Sequence, residues 1–157
     1  MKNYMVAVLE EMGNGDKKVQ NFSNLEKDEF DDHCRHLIII DHKNSKKNSK
    51  SKIIGVTRLM LSEDSKNGIG FYCSQEFNLS PIISSKKNCL EIGRTCIDYH
   101  YRNTLILHYL WIELGGFCSK NNVELLFGVA SFNGNNIKKI EMALSHIHNK
   151  YLLPPKI

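Results

Sequence analysis

At 157 residues the chain has room for one domain with a real core and too little for two comfortable ones. Its 41% hydrophobic and 24% charged residues describe an ordinary globular protein, and no apolar run has membrane-spanning length or reads as a signal peptide. The formal charge of +4 is mild, and much of the lysine excess sits in one Lys/Ser/Asn run with no interleaved aromatics, which argues against nucleic acid as a partner.

In chain order, Met5-Val-Ala-Val-Leu-Glu-Glu-Met12 reads as a short helix stopped at Gly13, and residues 14–27 as polar loop. His36 to Asp41 is a β-branched run bounded by charges, hence a strand. Lys43 to Lys52 (Lys-Asn-Ser-Lys-Lys-Asn-Ser-Lys-Ser-Lys) cannot bury apolar area, and is expected to be a mobile hairpin loop. Lys52 to Leu61 is the returning strand, Gly68 to Ser74 a weaker one, and Leu79-Ser-Pro-Ile82 a turn region. Cys89 to Ile97 alternates as a strand. From Thr104 to about Asn121, Leu107, Leu110, Trp111, Leu114, Phe117 and Cys118 fall at helical spacing and predict an amphipathic helix packed on a sheet. Val123 to Phe132 is a further strand, and residues 135–150 form a last helix. Antiparallel strands plus a strand–helix–strand crossover make one α+β, or mixed α/β, domain over residues 1–157. The crossover predicts that strands 89–97 and 123–132 are parallel neighbours, with a ligand site where they part.

The residues with chemical potential cluster around the 89–97 strand. Side chains two apart share a strand face, so Glu91, Gly93 and Thr95 are expected on one side, with Leu90, Ile92, Arg94 and Cys96 on the other. A carboxylate in an apolar strand costs free energy unless it is paired or working. Glu91 is therefore either a general base or amine ligand, or one half of a structural ion pair with Arg58 or a lysine. Gly93 leaves the backbone beside it open to a ligand. Arg58 and Arg94 lie within apolar surroundings and suit acidic partners such as Asp28, Asp31 or Glu91. Asp98-Tyr-His-Tyr-Arg-Asn103 leads into a helix N-terminus, where Arg102 and His100 would favour an anion. Five cysteines (Cys34, Cys73, Cys89, Cys96, Cys118), odd in number and without a Cys-x-x-Cys pair, fit reduced thiols in a cytoplasm. Asp32, His33, Cys34 and His36 are too close in sequence to surround one ion, so no metal site is expected.

Several blocks in order carry a family resemblance: Phe30-Asp-Asp-His-Cys-Arg-His-Leu-Ile-Ile-Ile-Asp41, Ile54-Gly-Val-Thr-Arg-Leu59, Phe71-Tyr-Cys-Ser-Gln-Glu-Phe-Asn-Leu-Ser-Pro81, Leu90-Glu-Ile-Gly-Arg-Thr-Cys96, Tyr101-Arg-Asn103 and Leu126-Phe-Gly-Val-Ala-Ser-Phe-Asn-Gly134. Together, over roughly residues 4–155, they resemble the ornithine–acyl-carrier-protein N-acyltransferases of bacterial ornithine-lipid synthesis. These are a branch of the GNAT superfamily, sometimes labelled hemolysin-like, and distantly like acyl-homoserine-lactone synthases. The resemblance implies a central, mostly antiparallel sheet with a splayed parallel strand pair. It also implies transfer of a fatty acyl group from the phosphopantetheine arm of acyl carrier protein to the α-amino group of L-ornithine, giving a lyso-ornithine lipid.

By that likeness Glu91 is the base, and Asp28, Asp31, Arg58 and Arg94 build or brace the amino-acid pocket. Ile92, Gly93 and Thr95 lie along the donor arm, with its phosphate near Arg102, Asn103 and Thr104. No bound cofactor is implied; acyl carrier protein is the co-substrate, with acyl-CoA or acetyl-CoA the alternative donor. Carrier protein is acidic, and Lys86, Lys87, Arg102 and the 43–52 run are the basic groups available to dock it. Arg102-Asn-Thr-Leu-Ile-Leu107 keeps the arginine of the usual CoA pyrophosphate turn and lacks its glycines, which favours a donor with a single phosphate. The chain looks like a family core trimmed at both ends, which opens the alternatives of an inactive relative or an acetyl-CoA-dependent N-acetyltransferase. A lipid product allows peripheral membrane contact, though no amphipathic anchor stands out.

Overall fold

The apolar strand patterns collect into one mixed sheet, seen in a computed structural model that describes residues 27–42, 52–132 and 136–152. β1 (Arg35–Asp41) pairs antiparallel with β2 (Lys52–Leu61), which pairs antiparallel with β3 (Cys89–Ile97). β3 pairs parallel with β4 (Leu125–Phe127), giving the order β1-β2-β3-β4. A parallel pair needs a crossover, and α3 (Ile106–Lys120) supplies it. Two short helices, α1 (Ser62–Asn67) and α2 (Ser80–Ser84), fill the long connection between β2 and β3, and α4 (Ile137–Tyr151) follows β4.

β2 is flanked on both edges and is buried from Ile54 to Leu61, so its alternation sorts two cores. Leu59 and Leu61 join Leu90 and Leu114 on the α3 side. Met60 joins Phe30, Phe71, Cys73, Leu79 and Cys89 on the other. Burying a side chain as fully as Leu59 or Leu90 contributes roughly 2–3 kcal/mol each.

β2 and β3 have the bounds expected from sequence, and β1 begins one residue earlier. Four expectations need correction. Gly68–Ser74 is not a strand: the chain turns at Gly70 (φ +88°) into a single 3-10 turn, Tyr72–Gln75. β4 stops at Phe127 rather than Phe132. α3 buries a narrower stripe than its spacing suggested: Leu110 and Leu114 are inside, whereas Leu107 and Trp111 are 46% and 50% exposed.

The fourth correction concerns β3. Arg58 stands opposite Gly93 and Val56 opposite Cys96, so β3 carries one extra residue there. Arg94 takes the left-handed backbone conformation, φ +49°, at this bulge. One inserted residue reverses the alternation that follows it. Thr95 therefore meets the Thr57 hydroxyl at 2.8 Å instead of facing Glu91's side, and Cys96 comes opposite Val56. The expected N-terminal helix and the lysine-rich segment 43–51 lie outside the described residues.

Candidate active site

Glu91 pairs across the sheet with Met60 and is only 5% exposed. Its carboxylate is held by backbone: Tyr72 N–H donates to Oε2 at 2.8 Å and Cys73 N–H to Oε1 at 2.6 Å. These two donors, freed because the 72–75 segment is a turn and not a strand, offset the desolvation of a buried carboxylate. Each oxygen keeps a lone pair for a further partner. Of the alternatives left by the sequence, an ion pair between Glu91 and Arg58 is absent among the described residues.

Arg58 takes other carboxylates. Its Nη1 donates to Asp28 Oδ1 at 2.7 Å and to Asp31 Oδ1 at 2.9 Å, and its guanidinium lies over the rings of Phe30 (5.8 Å) and Tyr72 (5.6 Å). Asp28 caps a 3-10 turn, Glu29–Asp32: it accepts from Phe30 N–H at 3.0 Å while its own N–H donates to Asp31 Oδ2 at 3.0 Å. That reciprocal cap holds both aspartates in place for Arg58. Arg94 Nη2 then donates to Asp28 Oδ2 at 2.6 Å. Plain alternation would have sent Arg94 to the α3 side; the bulge brings it to the aspartates. Burial works against the Asp28 carboxylate, yet Arg58 and then Arg94 hold its pKa below the ordinary 3.8. Burial likewise opposes the Arg58 charge, and its hydrogen bonds to Asp28 and Asp31 raise its pKa regardless. Two thiols border the same region: burial foremost pushes Cys34 up to about 11, and burial with the nearby Glu91 carboxylate pushes Cys73 up to about 12.

Next to Glu91 the sheet forks. Glu91↔Phe127 is the last β3–β4 rung. At the following residue, Gly128, an added Cβ would sit 2.4 Å from the Ile92 carbonyl oxygen, so only glycine lets the chain leave β4 this close to β3. Beyond the fork β3 continues past Ile92 and Gly93 with β2 on one edge and, among the described residues, no strand on the other, and a Cβ at Gly93 would meet nothing within 4 Å. The carboxyl end of β3 is locked to the first hairpin: Lys52 Nζ contacts buried Asp98 at 2.8 Å, and Tyr101 O–H donates to Asp41 at 2.6 Å. From that anchored turn Arg102 lies over the Tyr99 ring and donates to Ile97 O at 3.2 Å, while Thr104 O–H donates to Tyr101 O at 2.6 Å. Arg102, Asn103 and Thr104 are exposed ahead of α3.

Of the residues singled out from sequence, Asp28, Asp31, Arg58 and Arg94 form one network, with Glu91 joined to it through Tyr72. Ile92 and Gly93 line the fork, Thr95 is turned away by the bulge, and Arg102–Thr104 lie at the far end of β3. Sequence reasoning missed Tyr72 and Cys73, which act through backbone N–H groups, and Gly128, which stood hidden inside an expected strand. Among the described residues no three His, Cys, Asp or Glu side chains are placed to share a metal ion.

The acetyltransferase (GNAT) domain family matches residues 6–112. The L-ornithine N(alpha)-acyltransferase of Rhodobacter capsulatus is 31% identical over 93% of this chain and 56% of its own length. The protein of the same name from Brucella abortus is 30% identical over 90% of this chain and 50% of its own. The chain thus spans about half the length of these curated relatives. A mutant of the BH1408 protein of Bacillus halodurans shares the fold with a TM-score of 0.50 at 13% identity, over 98% of this chain and 82% of that one.

Proposed function

The chain belongs to the GNAT acetyltransferase domain family, whose members draw on acyl thioesters, and from that premise we propose that it is an N-acyltransferase moving a fatty acyl group from acyl carrier protein to the α-amino group of L-ornithine. One relationship supports this most: a buried carboxylate, Glu91, stands at the last rung before two parallel strands separate. A pantetheine thioester fits along the edge of β3 that β4 leaves, beside Ile92 and Gly93, with its phosphate at Arg102, Asn103 and Thr104. The amine nitrogen attacks the thioester carbonyl; a C–N bond forms and the C–S bond breaks. Glu91 takes the amine proton directly or through water, a modest task given an ordinary α-amino pKa of about 8. Backbone N–H groups of β3 beyond the fork hold the carbonyl oxygen as it becomes negative. The thiolate leaves on the carrier arm and is protonated to the thiol. Asp28, Asp31, Arg58 and Arg94 brace the acceptor side.

The test incubates purified protein with acylated carrier protein and radiolabelled ornithine, and follows lyso-lipid by thin-layer chromatography. Product that requires carrier-bound acyl groups, is not made from acetyl-CoA and is lost in Glu91→Gln supports the reading. Well-folded protein that makes none, or that acetylates from acetyl-CoA, refutes it.

A further inference from the structure

The sequence offered Lys86, Lys87 and Arg102 as one basic face, and the fold separates them. Lys87 lies two residues before β3 and Arg102 five residues after it, so roughly 30 Å of strand stands between them. At the amino end of β3 the lysines meet Lys66 from α1 around a surface groove of about 310 Å³. Two carboxylates also line it. Glu124 is engaged, accepting Asn88 N–H at 2.8 Å, and Glu63 lies in the first turn of α1. Among the described residues none of the three ammonium groups has an acidic partner within 4.0 Å. The turn holds Lys86 at φ +56°, a left-handed conformation that a residue with a Cβ adopts only where the surroundings impose it. Here Lys86 N–H donates to Ile83 O at 3.3 Å and Lys87 N–H to Ser85 Oγ at 3.3 Å.

Apolar side chains are also exposed on the segments that carry or adjoin these lysines. Ile83, bonded by its carbonyl to Lys86, is 58% exposed; Ile69, just beyond α1, is 44% exposed; and Phe77, on the approach to α2, is 57% exposed. Lysines on segments that also expose Ile and Phe are the chemistry of an interfacial contact: ammonium groups meet lipid phosphates while the apolar groups enter the headgroup boundary. A small soluble anion would not call for the apolar flank.

We propose that this face, built from α1, α2 and the 86–88 turn, docks on an anionic membrane surface, with Lys66, Lys86 and Lys87 taking the phosphate groups of lipid headgroups. The contact is peripheral, since no helix among the described residues is long and apolar enough to cross a membrane. It is independent of the reaction proposed above, so either can fail without the other.

Co-sedimentation of the whole chain with vesicles of phosphatidylglycerol and phosphatidylcholine tests it, with pure phosphatidylcholine as the neutral arm. The triple variant K66Q/K86Q/K87Q should lose about a hundredfold in partitioning, as expected for three lysines at an anionic surface, and I83S should lose several-fold with no change in charge. The variant K46Q/K47Q/K50Q removes the same charge elsewhere and should stay within a few-fold of the parent. Equal losses in the two triple variants would mean undirected charge attraction and overturn the proposal. So would binding of inorganic phosphate by the same lysines with no vesicle binding, or capture of acidic carrier protein by this face in place of vesicles.

Discussion

Arg94 Nη2 and Asp28 Oδ2 lie 2.6 Å apart across 66 residues of sequence, and a single extra residue in β3 makes the contact. With Arg58 on the other Asp28 oxygen, one aspartate bridges two guanidinium groups, one of them buried. Asp28→Ala strips Arg58 of one of its two carboxylates and Arg94 of its 2.6 Å partner. A loss of about 1–3 kcal/mol is expected, since each guanidinium gives up one charge-assisted hydrogen bond. Urea unfolding at pH 7 measures it; a loss under 1 kcal/mol would mean that water solvates these arginines.

The same residue gives a pH dependence. In the folded protein the Asp28 pKa lies below 3.8, and in the unfolded chain it returns to that value. The unfolded state therefore binds the proton more readily. The stabilisation is fully present above pH 3.8 and is lost as pH falls through the lowered folded value. The parent should lose stability below about pH 4 more steeply than Asp28→Asn, compared by thermal melts between pH 2 and 5.

Two neighbouring glycines should respond in opposite ways. At Gly93 a methyl group meets open space, so Gly93→Ala should fold with stability within about 0.5 kcal/mol of the parent. If the acyl donor lies along β3, the same methyl intrudes on it, and KM for the donor should rise at least tenfold. At Gly128 a methyl would press on the Ile92 carbonyl, and a backbone atom cannot swing aside. Gly128→Ala should cost about 1–3 kcal/mol. Equal behaviour of the two variants in unfolding and in donor kinetics would argue against a donor path beside Gly93.

Much of this fold was legible because central strands declare themselves. Ile53–Leu61 and Cys89–Ile97 are β-branched or apolar runs with clear ends, and the parallel pairing of β3 with β4 followed from the helix between them. The site was less legible because its decisive contacts are non-local. Nothing in Gly68–Ser74 reveals that two of its N–H groups will serve a carboxylate 18 and 19 residues ahead. Nor does alternation reveal a bulge: it assigned Glu91 and Gly93 correctly, then placed Arg94, Thr95 and Cys96 on the wrong sides. Gly128 was visible, but a glycine inside an apolar run reads as strand until its neighbour's carbonyl is in view.

Glu91→Gln probes the carboxylate through both its roles. The side-chain amide keeps one acceptor for the backbone N–H groups of Tyr72 and Cys73 and turns a donor toward the other, leaving a buried N–H opposed. A stability loss of about 1–3 kcal/mol follows. If Glu91 is the base, kcat/KM should also fall by about 10²- to 10⁴-fold in protein that remains folded, a drop that a purely structural role would not bring. Cys73 supplies an internal control on the environment. Cys73 is buried, and its thiol, pushed up to about 12, presents almost no thiolate at pH 8, so on both counts it should alkylate in the parent far more slowly than an exposed cysteine. Removing the Glu91 charge should quicken it. Mass spectrometry after timed iodoacetamide treatment reads this. Unchanged Cys73 labelling in a variant that has lost activity would place the thiol away from the carboxylate and undo this description of the site.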